Sequence, residues 1–197
     1  MKILSICGSP RKGNSEAIIT KFNEIFDKMG IDNSTILLRE KNIGRCDGCV
    51  EYCNKHLDCF KKDDMVDVFK KMRLADGFVF VSPNYFKMPP GIFKDFMDRC
   101  SVFFTKEYFT KENDLAGKKA VVVCVGTDTV KGIDVCTDNI IRLFVEPLGL
   151  IVVAKKSFRS NSELKGNYND IFENKLNPDI MGEIETVAKK LVECPRS

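Results

Sequence analysis

Four cysteines stand close together at Cys46, Cys49, Cys53 and Cys59, in the spacing C-x2-C-x3-C-x5-C. Thiolates so spaced can converge on one soft metal centre, and four is the number that a 4Fe–4S cluster needs. The same residues suit other chemistry. A tetrahedral zinc site would use them, with His56 able to replace one cysteine. A redox pair such as Cys46 and Cys49, or a set of ordinary thiols, is equally written in these residue types.

A second stretch with chemistry is Gly8-Ser9-Pro10-Arg11-Lys12-Gly13-Asn14-Ser15. An apolar run over 2–7 precedes it and reads as a buried strand. After it Ala17, Ile18, Ile19, Phe22, Ile25, Phe26 and Met29 recur at helical spacing. A strand, a polar loop and a helix in that order aim backbone N–H groups and the positive end of a helix dipole at one spot, which suits a phosphate. Ser9, Asn14 and Ser15 add side-chain donors, and Arg11 adds charge. The nucleotide loop G-x-x-x-x-G-K-S/T is nearly matched, but Asn14 stands where its lysine must be, which argues against nucleoside triphosphate hydrolysis. A G-x-G-x-x-G is absent, so a dinucleotide on this loop is disfavoured. A terminal monophosphate remains, against the plainer reading of a strand-to-helix turn with a capping serine.

The elements that must hold these loops follow from periodicity. Strands are expected at 2–7, 34–38, 77–81, 120–125 and 150–154. Helices are expected after Asn14, after Asp63-Asp64, over 91–100, over 137–144 and from Asn177-Pro178-Asp179 onward. The segment 39–62 reads as a polar, cysteine-bearing loop. Alternation of strands and helices predicts an α/β, doubly wound, five-stranded parallel sheet in the flavodoxin-like order 2-1-3-4-5, with helices on both faces and ligand at the carboxyl ends of the strands. The post-strand loops therefore become site candidates. Ser82, Pro83, Asn84, Tyr85 and Phe86 follow strand three and offer flat surfaces for a planar ring, with packing as the plainer role of Tyr85 and Phe86. Gly126 and Thr127 follow strand four.

The bulk numbers bound the answer. A chain of 197 residues suits one domain with a substantial core. A net charge of +3 without a basic, aromatic-interleaved stripe argues against nucleic acid. No apolar run approaches membrane-spanning length, and the amino terminus reads as a strand rather than a signal peptide, so the expectation is a cytoplasmic protein with no membrane partner. Nine cysteines fit a reducing compartment. A single histidine and no G-x-S-x-G speak against a hydrolytic triad. Cys7, Cys100, Cys124, Cys136 and Cys194 are scattered, and most of them read as buried small hydrophobes.

The run Gly-Ser-Pro-Arg-x-Gly-Asn-Ser, with Ser82-Pro83-Asn84-Tyr85 and Lys94-Asp95-Phe96-Met97-Asp98-Arg99, resembles the flavodoxin-like NAD(P)H-dependent FMN reductase superfamily. More narrowly, it resembles the iron–sulfur flavoprotein branch. The resemblance implies that Ser9, Arg11, Gly13, Asn14 and Ser15 hold the FMN phosphate. Ser82, Pro83, Asn84, Tyr85 and Phe86 would line the isoalloxazine, and Gly126 and Thr127 would supply a third loop. It implies a 4Fe–4S cluster on Cys46, Cys49, Cys53 and Cys59. The family pattern there is C-x2-C-x2-C with a fourth cysteine beyond, so Tyr52 holds the third ligand position and Cys53 comes one residue late.

The implied activity is an FMN-dependent oxidoreductase. Electrons would pass from NAD(P)H or reduced ferredoxin through FMN to a quinone, flavin or similar small-molecule acceptor, with no side-chain acid or base required. The alternatives are an iron–sulfur electron carrier fed by ferredoxin without nicotinamide chemistry, and a zinc-stabilised binding module. Asp98 and Arg99 are expected as a structural pair or interface element. Phe103, Phe104, Tyr108 and Phe109 are expected to govern access or a subunit contact, and 155–174 to form a lid or oligomer contact. Relatives imply a homodimer or homotetramer.

Overall fold

A computed structural model of the chain describes residues 1–161 and 169–193. In order, it contains β1 (Lys2–Cys7), α1 (Asn14–Lys28), β2 (Asp32–Leu37), a 3-10 turn (Leu38–Glu40), α2 (Val50–His56), α3 (Met65–Leu74) and β3 (Gly77–Pro83). There follow α4 (Gly91–Arg99), α5 (Ser101–Thr110), β4 (Lys119–Gly126), α6 (Val130–Ile140) with a π turn (Ile141–Val145), β5 (Ile151–Arg159) and α7 (Ile180–Glu193). The five strands form one sheet in the order β2-β1-β3-β4-β5, every pair parallel. The expected fold class is the observed one.

The central strands explain why the sheet is covered on both faces. Along β3, Phe78 and Phe80 point to one side and Val79 and Val81 to the other, as the two-residue period of a strand requires. The first pair meets α3, α4 and α6 through Met72, Phe93, Phe96 and Ile140. The second pair meets α1 and α7 through Ile18, Phe22, Ile184 and Leu191. Each fully buried Phe or Leu contributes about 1.5–3 kcal/mol by leaving water, so these two layers dominate the stability. The end of α1 is equally legible. Gly30 adopts φ +67°, and Ile31 N–H reaches back to Phe26 O at 2.9 Å while Gly30 N–H reaches Asp27 O at 3.0 Å, the paired bonds that stop a helix at glycine.

Several expected boundaries move. The segment 39–62 is not all loop, since α2 lies inside it. α6 begins at Val130, seven residues before the expected helix start, because Thr129 accepts a hydrogen bond from Gly132 N–H at 3.1 Å and caps it. β5 continues past Ala154 to Arg159, pairing with β4 as far as Gly126. The expected lid over 155–174 is therefore strand in its first part, and in its last part Ile171 is fully buried among α1 and α7 side chains. Residues 162–168 of that segment, and Cys194, lie outside the described residues. On α5, Phe103 is core, edge-on to Phe69 at 5.3 Å between ring centres, whereas Phe104, Tyr108 and Phe109 are exposed.

Candidate functional site

The parallel pairing does not stop at the strand ends. Gly8 N–H donates to Val81 O at 2.8 Å, Asn84 N–H to Val125 O at 2.8 Å, and Ser160 N–H to Gly126 O at 2.7 Å. These bonds tie the loops after β1, β3, β4 and β5 into one row along the carboxyl edge of the sheet. A pocket opens there. Ser9, Arg11, Gly13, Asn14 and Ser15 line one part of it, with Pro83, Asn84 and Tyr85 and with Gly126 and Thr127. Ser160 completes the lining and went unnoticed in the sequence, because the expected fifth strand stopped at 154 and so did not bring its carboxyl end to this edge.

Two expected site residues lie elsewhere. Ser82 is fully buried beneath the pocket, and its hydroxyl donates to Pro83 O at 3.0 Å. Phe86 is wholly exposed and lines an adjoining, wider hollow with Lys87 and Asp128.

Within the first loop the side chains divide their work. Ser9 Oγ donates to Arg11 O at 2.7 Å and accepts from Arg11 N–H at 3.3 Å, folding the loop on itself. Gly13 precedes α1 with no side-chain cap, so that terminus meets the pocket without a capping hydroxyl in the way. Gly8 is required by a close approach: a Cβ there would lie 2.3 Å from Phe93 Cδ2 on α4.

Asn14 departs from its expected role as a phosphate donor. Its Nδ2 donates to Ser160 Oγ and to Asp170 Oδ1, both at 2.8 Å, and its Oδ1 accepts from Ile171 N–H at 3.1 Å. The side chain is a cross-link between α1 and the chain after β5. Burial alone would raise the Asp170 carboxyl, but hydrogen bonds from Asn14, Asn161 N–H and Asn174 outweigh it and hold the group below its ordinary value.

The hairpin at 84–88 is built tightly. Tyr85 N–H donates to Met88 O at 2.8 Å and Met88 N–H to Tyr85 O at 3.0 Å, with Phe86 at φ +51° and Lys87 at φ +67° between them. Both residues occupy the left-handed region that such two-residue turns demand and that side chains resist. Asn84 Oδ1 accepts from Lys87 N–H at 2.9 Å, and Asn139 on α6 donates to Lys87 O at 3.0 Å.

The cysteine segment forms a second site. After Gly48, at φ +66°, α2 begins with Cys49 as its cap. Four positions later on the same helical face stands Cys53, and the two sulfurs lie 3.9 Å apart. Cys46 and Cys59 line the same small pocket, with Asp47, Phe60, Lys61 and Arg99. Tyr52 turns outward instead, stacked on His56 at 4.2 Å and edge-on to Phe60 at 5.7 Å between ring centres. Burial, Cys49 and the nearby Cys59 and Cys46 push the Cys53 thiol up to about 11, since thiolates crowded together oppose one another's ionisation.

Arg99 governs the ends of this segment. Its Nη1 donates to Asp63 Oδ2 at 2.5 Å and to Gly44 O at 2.7 Å, and its Nη2 donates to Asp63 Oδ1 at 3.0 Å. The expected pairing of Asp98 with Arg99 is corrected: Asp98 faces solvent and pairs with Lys94 one turn back, because neighbouring residues on a helix point to different sides. Burial opposes ionisation of Asp63, but the Arg99 hydrogen bonds and those from Gly44 and Met65 N–H hold its carboxyl low.

The upper pocket offers a cation, hydroxyls and a helix terminus on one side and Pro83 and Tyr85 on the other, which fits a phosphate joined to a flat ring. Among the described residues no three His, Cys, Asp or Glu side chains stand close enough together to hold a single metal ion. Cys46, Cys49, Cys53 and Cys59 nevertheless line one pocket, and four thiols are the residue types that an all-thiolate cluster takes.

A parallel sheet in this order, with a polar pocket along its carboxyl edge, defines a flavodoxin-like protein. The family model described as NADPH-dependent FMN reductase matches residues 1–163, and the chain belongs to that family. Such a protein is an FMN-dependent oxidoreductase. The chain is 29% identical over 159 residues to an iron–sulfur flavoprotein of Archaeoglobus fulgidus, covering 81% of this chain and 78% of that one. It is 34% identical over 122 residues to an iron–sulfur flavoprotein of Methanosarcina thermophila, covering 61% and 63%. An NAD(P)H:quinone oxidoreductase from Methanothermobacter marburgensis shares the fold with a TM-score of 0.77 at 16% identity, covering 100% of this chain and 98% of that one. Among the described residues no helix is long and apolar enough to cross a membrane.

Proposed function

We propose that this chain is one FMN-binding unit that passes electrons between a soluble donor, NAD(P)H or reduced ferredoxin, and a small acceptor such as a quinone or flavin. We further propose a 4Fe–4S cluster on Cys46, Cys49, Cys53 and Cys59. The observation that carries the reading is the convergence of Ser9, Arg11, Gly13, Asn14, Ser15, Pro83, Asn84, Tyr85, Gly126 and Thr127 on one pocket, drawn from loops far apart in the chain.

When bound, FMN supplies a ring that takes up a hydride and releases electrons one or two at a time. The chain's own residues do the rest. Arg11, Ser15 and the α1 terminus would hold the phosphate, while Asn14 contributes its backbone and braces the loop. Pro83, Asn84, Tyr85, Gly126 and Thr127 would set the ring plane and exclude water from one of its faces. Phe86 and Lys87 stand at the open side, where a donor or acceptor would enter.

The thiol pocket favours the carrier form of this reading, in which reduced ferredoxin rather than NAD(P)H is the donor. The exposed face of Phe104, Tyr108 and Phe109 supports a homodimer or homotetramer.

The test is purification without oxygen, followed by measurement of FMN, iron and acid-labile sulfide, and then turnover with NADH, NADPH or reduced ferredoxin. FMN with about four iron and four sulfide per chain is the expected result. FMN without iron or sulfide after anaerobic reconstitution would leave a plain flavin reductase. Protein that takes up no flavin would sink the proposal.

A further inference from the structure

One guanidinium closes the cysteine segment from both sides. Arg99, at the end of α4, is only 2% exposed. Through Nη1 it holds Gly44 O, two residues before Cys46, and through Nη1 and Nη2 it forks onto Asp63, four residues after Cys59. Asp63 Oδ2 also accepts from Gly44 N–H at 2.9 Å, so the two ends are joined to each other as well.

That accounts for two of the three guanidinium nitrogens. Arg99 Nε is buried and has no hydrogen-bond partner among the described residues. A buried charged donor left unmade is costly, and folded proteins seldom leave one. Arg99 lines the thiol pocket. Cys59 lines it too.

We propose that Arg99 is a positioning residue for the cluster: it locks the two ends of the cysteine segment together and offers Nε–H as a hydrogen bond to the Cys59 thiolate. The inference rests on the cluster reading given above. A positive charge and a donor at a ligating sulfur stabilise the more reduced state, so Arg99 makes the cluster's midpoint potential less negative. Because Phe93 on the same helix presses on Gly8, α4 braces both the phosphate loop and the cysteine segment.

The experiment compares anaerobically reconstituted wild type with Arg99→Lys, which keeps the charge and loses the fork and the Nε donor. FMN content, iron and sulfide content, the midpoint potential from an EPR-monitored titration, and the rate of iron loss to a chelator are measured. The expected result is wild-type FMN content, a shift of the potential to more negative values, and iron loss about tenfold faster. A merely structural arginine would change iron retention and leave the potential where it was, and that result overturns the proposal.

Should Arg99→Lys fail to fold, resonance Raman of wild type reconstituted in heavy water reads the hydrogen bonds to the ligating sulfurs, that from Nε–H among them. A deuterium shift in an iron–thiolate stretch is expected, and its absence is the overturning result. Wild type that takes up no iron or sulfide defeats the cluster reading itself and this inference with it. A loaded wild type indistinguishable from Arg99→Lys defeats the inference alone.

Discussion

Asn14 Nδ2 and Asp170 Oδ1 lie 2.8 Å apart across 156 positions of chain. The first residue of α1 is thereby fastened to the segment that follows β5, at the end of the loop after β1. Asp170 is held below its ordinary value near 3.8 in the folded protein, so its contribution is complete above that value and is lost as pH falls through the lower folded one. Asp170→Asn is expected to cost about 1–3 kcal/mol at neutral pH, since it disturbs a buried network. Urea unfolding at pH 7 and below pH 3.8 should show the gap between wild type and variant closing in acid. An equal gap at both pH values would remove the carboxylate from the account.

Gly8→Ala drives a methyl group to within 2.3 Å of Phe93 Cδ2. The ring sits in the core against Phe80, Phe96 and Phe144, with little room to yield. Destabilisation of about 1–3 kcal/mol is expected, with weakened FMN affinity, because the loop must lift. Fluorescence titration with FMN and thermal unfolding read the two effects. Unchanged values in both would show the contact to be slack.

At the hairpin, Lys87 holds φ +67° with a side chain that gains nothing from that conformation. Lys87→Gly should stabilise the protein by about 1 kcal/mol and raise its melting temperature. Phe86→Ala, by contrast, removes a fully exposed ring and should leave stability within about 0.5 kcal/mol. Its expected signature is a higher KM for the electron acceptor with FMN affinity unchanged. A change in FMN affinity instead would move Phe86 onto the flavin.

The position of Cys53 offers a sharper test. Replacing Tyr52 by Cys and Cys53 by Ser restores the family's C-x2-C-x2-C spacing. On α2, however, position 52 faces His56 and Phe60, away from the Cys49 sulfur. The double variant should therefore lose most iron and sulfide on reconstitution while keeping FMN. Full cluster content in that variant would mean that α2 rearranges on loading. Cys124→Ala, buried within β4, should load like wild type.

The strands, their parallel order and the pocket edge were legible because apolar runs and helical periodicity are local. Each is written within ten or so consecutive residues. The polar loop after β1 declared itself for the same reason, since a strand, glycines and a helix must occur there in immediate succession. The start of α6 escaped because Gly132 and the charges around it read as loop, although Ile133, Cys136 and Ile140 carry the helical period. Ser160 escaped with the unread half of β5.

What the chain determined on its own is the set of groups available: four thiols, a polar turn between strand and helix, and five strands that bring the turn to a shared edge. What only the tertiary structure decided is how those groups are used. Asn14 becomes a brace, Arg99 chooses Asp63 over its neighbour Asp98, and a short helix absorbs the extra residue before Cys53 by putting Cys49 and Cys53 on one face. The physical reason is that Asn14 and Arg99 bond to groups far away in the chain. Such contacts leave no local pattern, and burial selects them only once the sheet has closed.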